Sequence, residues 1–149
     1  MPVSDICNRE VIIVQRETTV NEAAKLMRQH HVGSVVVVEE RKGVKVPVGI
    51  VTDRDLVVEV MAPDLVQMVI TVADIMGQKL VTVQDGMGIY ESIQYMRGEG
   101  VRRLPVVDSK GGLIGILALD DLLELLAEEL LDLSRLVKHE QKKESISRR

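Results

Sequence analysis

Two short segments of the chain carry residue types that are suited to hold a sugar and a phosphate. Val48 to Leu56 reads V-G-I-V-T-D-R-D-L, and Ile114 to Leu122 reads I-G-I-L-A-L-D-D-L. In each segment a short apolar strand passes through Gly into a predicted helix whose first turn carries Asp. An ionised carboxylate has two acceptor oxygens and no donor, so it matches the neighbouring hydroxyls of a polyol. The pattern predicts a binding site and not a bond-breaking centre.

Both segments belong to an internal repeat. A shift of 69 positions aligns residues 11–38 with residues 80–107 and gives eight identities in 28 positions. About two identities are expected from average residue usage. Beyond the next loop the offset falls to 66, and it then pairs Gly49 with Gly115 and Asp55 with Asp121. The sequence therefore indicates a tandem duplication with a loop that is three residues longer in the first copy.

Each half has the predicted order strand, helix, strand, strand, helix. Continuous apolar runs predict buried strands, and a helical apolar stripe follows Thr19, which forms a capping box with Glu22. Thr52 or Asp53 is expected to cap the last helix of the first half, which is predicted to run through Val60. The predicted elements of the first half are strands 11–14, 33–38 and 46–51, with helices that begin near 20 and 53. Those of the second half are strands 80–83, 103–107 and 113–117, with helices over 89–96 and from Asp120.

Composition narrows the class of protein. With 149 residues, 46% of them apolar, the chain can bury roughly 68 to 70% of its unfolded surface in one domain built from two half-units. A net charge of -4 gives no reason to expect nucleic acid, and one Cys excludes an internal disulfide. The N-terminus lacks the apolar run of a signal peptide, and the longest aliphatic run, Val35 to Val38, is far shorter than the ~20 residues of a membrane span. These features predict a soluble, cytoplasmic protein with no membrane partner.

The doubled segments, together with V-R-R-L-P-V-V at Val101 to Val107, resemble the CBS (cystathionine β-synthase) domain, present as the tandem pair called a Bateman module. The resemblance covers residues 5 to about 130. It implies an α/β (α+β) fold in which two strand-helix-strand-strand-helix repeats form a pseudo-twofold pair. The expected boundaries are repeat 1 at 5–61, a linker at 62–74, repeat 2 at 75–130, and an extended C-terminal helix with a polar tail at 131–149.

The resemblance also implies a regulatory sensor that needs no cofactor and binds AMP, ADP, ATP or S-adenosylmethionine between the repeats. Asp55 is assigned to the ribose, because an Asp beside phosphate would repel it, and Thr52 is assigned to phosphate. Two competing interpretations stay open: Asp55 only caps a helix, and Arg102 with Arg103 only forms a solvated strand end. Carried over position by position, the first pocket consists of Thr52, Arg54, Asp55, Met76, Lys79, Leu80, Val81, Val101, Arg102 and Arg103.

A second, pseudo-symmetric pocket departs from the family pattern. Ala118 replaces the hydroxyl residue, Asp120 adds negative charge, and Gly33 with Ser34 stands where the other half has two Arg. A phosphate is disfavoured there, so asymmetric occupancy is expected, with the Asp55 pocket filled first. The residues implied for this weaker pocket are Cys7, Glu10, Ile12, Val32, Ala118, Asp120 and Asp121.

An enzyme and a metal site are not expected. The chain has no G-x-S-x-G, H-E-x-x-H, Walker loop or C-x-x-C motif. His30 and His31 are adjacent on a predicted helix, so they point apart and cannot chelate one ion together.

The last helix favours self-association. Leu122, Leu126, Leu130, Leu133 and Val137 are spaced 4, 4, 3 and 4 apart, and residues 130–137 are expected to meet a second copy in a homodimer. Residues 138–149 are expected to be a frayed end. The leading hypothesis is a stand-alone sensor that signals to a separate, unknown protein target. The alternative is a nucleotide-free scaffold in which this Leu-rich helix carries the function.

Overall fold

The computed structural model describes residues 1–147, which form two compact units. The first unit is Met1–Leu117 and contains two three-stranded sheets with their helices. The second begins at Ala118 and consists almost entirely of one long helix. This mixed α and β composition confirms the predicted fold class.

The first sheet has the strand order β1 (Ile13–Val14), β2 (Ser34–Arg41), β3 (Val44–Thr52). β1 is parallel to β2, and β2 is antiparallel to β3. Helix α1 (Val20–His30) forms the crossover between the two parallel strands. β1 is shorter than the predicted strand 11–14, although the Val36 amide still donates to the Ile12 carbonyl at 2.9 Å.

A tight turn joins β2 to β3, and both strands extend further into the charged loop than the sequence predicts. Lys42 and Gly43 have φ values of 51° and 78°, the left-handed pair that a two-residue hairpin needs. On β2 the Arg41 guanidinium donates to Glu39 Oε2 at 2.6 and 2.9 Å. These hydrogen bonds, the Arg41 charge and, more weakly, the Arg16 charge lower the pKa of the Glu39 carboxyl from its usual 4.5.

The second sheet repeats the first, with the order β4 (Val83–Gln84), β5 (Arg103–Val107), β6 (Leu113–Ala118). β4 is parallel to β5, and helix α4 (Ile89–Glu99) connects them. Within α4 the buried Ser92 hydroxyl donates to the Ile89 carbonyl at 2.7 Å, which removes the cost of an unpaired polar group. β5 has the bounds that the sequence predicts.

Each repeat begins with a lead segment, residues 1–5 or 70–74, that forms hydrogen bonds with the other repeat. The Val3 amide donates to the Met87 carbonyl at 2.8 Å, and the Val72 amide donates to the Thr18 carbonyl at 2.8 Å. Short antiparallel bridges also join Pro2 to Gly88 and Thr19 to Thr71. All these pairs obey the offset of 69 found in the sequence, so the two repeats exchange their lead segments.

The exchanged segments contribute to the cores. Val72, which begins helix α3 (Val72–Ile75), is fully buried among Val14, Ala23, Met27 and Val35 of repeat 1. Val3, in the 3-10 turn Val3–Asp5, is also fully buried. Helix α3 begins inside residues 62–74, which the sequence predicts to be a linker, and ends at Ile75.

The last helix of each repeat differs from its prediction. Helix α2 (Asp53–Leu56) continues as a π-helical turn, Val57–Met61. Helix α5 (Leu119–Ser147) runs through most of the segment that was expected to be frayed, so that expectation is wrong for residues 138–147. The reason is that Lys, Glu and Gln have high helix propensity even without an apolar face to bury. Residues 148–149 of the expected tail lie outside the described residues.

Candidate functional site

In both site segments a strand runs into a helix, and in repeat 1 a capping box forms this junction at the end of β3. Thr52 is the N-cap of α2, and its hydroxyl oxygen accepts from the Asp55 amide at 3.2 Å. In return Asp55 Oδ2 accepts from the Thr52 amide at 2.8 Å. The two side chains therefore hold each other at the entrance of the helix, where both are half-buried.

Asp55 therefore does cap α2, and this capping uses one of its two carboxylate oxygens. Asp55 Oδ1 has no hydrogen-bond partner within residues 1–147. A carboxylate oxygen has two lone pairs, so Oδ1 keeps its capacity to accept from hydroxyl groups. Capping and hydroxyl binding are compatible functions of this side chain.

An apolar side chain from repeat 2 covers the strand that leads to Thr52. Met76 packs against the core cluster of repeat 1 and lies directly on Gly49 of β3. A Cβ on Gly49 would come within 3.2 Å of Met76 Cβ and still closer to its sulfur. Gly at this position therefore makes room for a side chain that follows the exchanged lead segment.

A cation from repeat 2 lies at the other side of the same helix entrance. Arg103 Nη2 comes within 3.2 Å of the position that a Cβ of Gly33 would occupy, and Asp53 Oδ2 comes within 3.3 Å of it. The Asp53 amide donates to the Gly33 carbonyl at 2.9 Å, which fixes this corner. Arg103 is half-buried, so its charge is directed toward the residues next to Thr52.

For the side chains of the other residues of the predicted first pocket, no hydrogen bond or ion pair with the Thr52–Asp55 corner is seen in the part of the chain that the structure describes. Arg54 and Arg102 are exposed, and Lys79 pairs with Glu99 at 3.7 Å. Arg102 therefore fits the interpretation of a solvated strand end, whereas the half-buried Arg103 does not. Leu80, Val81 and Val101 are half-buried, and their assignment to the pocket stays a prediction.

The residues predicted for the second pocket belong to both units. In the first unit Cys7 Sγ and the Asn8 carbonyl oxygen come within 2.7 and 2.8 Å of a Cβ position on Gly115, which mirrors the Met76 contact. Ile12 and Val32 pack against the same core cluster as Met76, and Glu10 is exposed. In the second unit Asp120 is exposed, whereas Ala118 and Asp121 are half-buried. Their common function stays a prediction.

The family resemblance implied Met76 and Cys7 as pocket residues, but not their contacts with Gly49 and Gly115, nor the position of Gly33 and Asp53 beside Arg103. One signal was available: V-x-D-I occurs at residues 3–6 and again at 72–75, at the same offset of 69. It extends the repeat into both lead segments. It does not reveal that these segments pack on the opposite repeat, because that choice depends on long-range contacts.

Other site classes receive no structural support. Within residues 1–147 no three His, Cys, Asp or Glu side chains are grouped so that they could share a metal ion. None of the helices in this range has both the length and the apolar character that crossing a bilayer requires.

The chain is similar to proteins that carry CBS domains. It is 39% identical over 123 residues to an uncharacterized protein of Methanopyrus kandleri; the match covers 83% of this chain and 61% of that relative. It is 37% identical over 120 residues to the CBS domain-containing protein YhcV of Bacillus subtilis, with 80% of this chain and 81% of YhcV covered.

Comparison with solved structures gives the same fold. The CBS domain pair of protein MJ0100, solved in complex with 5′-methylthioadenosine and S-adenosyl-L-methionine, superposes with a TM-score of 0.73. The match covers 85% of this chain and 99% of that one at 24% sequence identity, which is a likeness of fold. The family model for the CBS domain matches twice, over residues 3–62 and 72–128. With both repeats matched and the paired fold reproduced, the chain belongs to the CBS domain family as a tandem pair.

Proposed function

We propose that this chain is a non-enzymatic regulatory protein that binds an adenosine-containing ligand at the Thr52–Asp55 corner and signals to a separate protein. The observation that carries the proposal is the convergence of three groups from both repeats on one helix entrance. They are the free Oδ1 of Asp55, the Arg103 guanidinium near Gly33, and the thioether of Met76 on Gly49. These groups supply an acceptor for hydroxyls, a cation for phosphate and an apolar cover.

The ligand class follows from this chemistry and from the fold. A ribose presents neighbouring hydroxyls, and hydrogen bonds to a charged acceptor contribute about 1.5 to 3 kcal/mol each. A relative of the same fold binds 5′-methylthioadenosine and S-adenosyl-L-methionine, so uncharged and charged adenosine compounds are both candidates. Asymmetric occupancy is part of the proposal, because Ala118 provides no hydroxyl to match Thr52. The proposal also includes a cytoplasmic location and a homodimeric state.

The test is calorimetric titration with AMP, ADP, ATP, S-adenosylmethionine and 5′-methylthioadenosine. Asp55→Ala is expected to weaken binding at least about tenfold, since a loss of 1.4 kcal/mol is a factor of ten. Asp74→Ala is the matched control, because Asp74 Oδ2 accepts from the Thr71 amide at 2.9 Å in a capping box of the same kind. Loss of either cap destabilises the protein by about 1 kcal/mol, but only Asp55→Ala should affect the ligand.

Arg103→Gln separates the ligand classes. It is expected to weaken the binding of AMP, ADP and ATP, while 5′-methylthioadenosine, which has no phosphate, binds as before. At 100 times its dissociation constant the true ligand should add about 2.7 kcal/mol of stability, which is visible as a thermal shift. Equal binding by wild type and Asp55→Ala, or no thermal shift with any of the five compounds, contradicts the proposal.

The second candidate, a nucleotide-free scaffold, is favoured by the large apolar side chains that α5 exposes. Leu130 and Leu133 are 69% and 59% exposed, which is unusual for leucines that serve only their own fold. Such a scaffold shows no thermal shift with adenosine compounds but loses self-association when residues 130–149 are deleted.

A further inference from the structure

Helix α5 has an apolar stripe along one side. Leu119, Leu123, Leu126, Leu130, Leu133 and Val137 are spaced alternately four and three residues apart, the 3.5-residue period of a helix that packs along another helix. The described residues from Ala127 to Ser147 are all exposed. Leu131 and Leu136 are exposed as well, at 51% and 59%, but they lie off this stripe.

The charges of α5 are divided along its length. Residues 119–134 contain six Asp or Glu and no Lys or Arg, whereas residues 135–147 contain four Lys or Arg and two Glu. If a second copy of α5 packed in parallel, the acidic half would face the acidic half. In an antiparallel pair each acidic half faces a basic half, so the helix is complementary to itself in this orientation only.

We infer that two copies of this chain associate through an antiparallel pair of α5 helices centred between Leu130 and Leu133. This inference rests on the self-association in the proposed function and specifies its surface. With Leu130 opposite Leu133 of the second copy, Leu126 faces Val137, so four successive apolar pairs form at the centre, and Leu123 lies opposite Glu140 beyond them. The same register brings the acidic half of each helix to the axial level of the basic half of the other: Asp120 is level with Lys143, and Glu128 is level with Arg135.

Sedimentation equilibrium tests the surface with the full chain. Leu130→Asn is expected to raise the dissociation constant of the dimer at least about tenfold, because it removes a central apolar contact. Leu131→Asn is the matched control: the neighbouring leucine is also exposed, lies off the stripe, and should leave the constant unchanged. Equal effects of both substitutions, or no effect of either, overturn the inference.

Cysteine crosslinking tests the orientation. A mixture of Leu123→Cys and Glu140→Cys chains should form a covalent heterodimer with a short thiol crosslinker, whereas Val137→Cys alone should not. In the antiparallel pair two Val137 positions are separated by about 16 Å along the axis, and in a parallel pair they are adjacent. Wild type, which retains Cys7, gives the background. Crosslinking of Val137→Cys to itself overturns the inference.

The outcomes also separate the inference from the proposed function. If the dimer is insensitive to Leu130→Asn, the α5 interface is wrong, but the proposals of ligand binding and of a homodimer are unaffected. If the wild-type chain is monomeric at all concentrations, both the α5 interface and the proposed homodimer are wrong. Ligand titration of Leu130→Asn should match wild type, since the groups that define the Asp55 corner all belong to the first unit.

Discussion

At the residue scale, the chemistry of the site depends on side chains that serve packing and binding together. Asp55 caps α2 with one oxygen and keeps the other available. The sequence predicted Thr52 or Asp53 as the cap, and Thr52 is the residue used. The family resemblance implied Met76 and Arg103 as pocket residues, but it did not predict their contacts with Gly49 and Gly33, because each Gly belongs to the other repeat and is distant along the chain.

Substitution of the two equivalent glycines should give unequal results. Gly115→Ala is expected to destabilise the protein by about 1 to 3 kcal/mol, because the new methyl group meets the Asn8 carbonyl oxygen, a backbone atom that cannot move away alone. Gly49→Ala should cost less, since only the flexible Met76 side chain must shift. Chemical denaturation measures both.

Gly98→Ala is the control for these substitutions. No heavy atom lies within 4 Å of a Cβ on Gly98, which is in helix α4. This change should be neutral or should stabilise the protein by up to about 1 kcal/mol. If Gly49→Ala costs more than Gly115→Ala, the contacts described for the two repeats are not the ones that decide stability.

At the element scale, periodicity and capping predicted the order of strands and helices in both repeats, and β5 and α1 appear where they were expected. Short strands were predicted too long, because β1 and β4 each pair with one neighbour over two residues only. The lead segments were not recognised, since four residues of helix in α3 give no periodic signal of their own.

Val72→Ala tests the exchanged segment. Val72 is fully buried in the core of repeat 1, so its truncation should cost about 1 to 3 kcal/mol. Val69→Ala, three residues earlier, is the control, because Val69 is 70% exposed and should change stability by less than about 0.5 kcal/mol. Similar costs for the two substitutions would show that the lead segment adds nothing to this core.

At the scale of the whole molecule, the exchange makes the two repeats interdependent. Repeat 1 is completed by Val72 and Met76 of repeat 2, and repeat 2 binds the backbone of residues 3 and 4. The duplication was evident from the sequence, but its consequence for cooperativity was not, because an offset between repeats does not specify which one receives which segment.

A substitution in one repeat should therefore change the unfolding of the other. Both tyrosines, Tyr90 and Tyr95, lie in α4 of repeat 2, so tyrosine fluorescence reports on that repeat. Val35→Ala, in the core of repeat 1, is expected to shift the denaturation midpoint seen by tyrosine fluorescence and by circular dichroism equally. A tyrosine transition that stays at the wild-type midpoint would mean that the repeats unfold independently.

The common offset of the exchanged hydrogen bonds has an evolutionary consequence. Since Val3 donates to Met87 as Val72 donates to Thr18, two identical half-length ancestors could have satisfied every one of these bonds by trading their first residues. Gene fusion then had only to supply a tether, and the loop before the second lead segment serves as one. Such a tether raises the effective concentration of one half for the other, so the two site segments, which carry Thr52 in one repeat and Ala118 in the other, need not be identical.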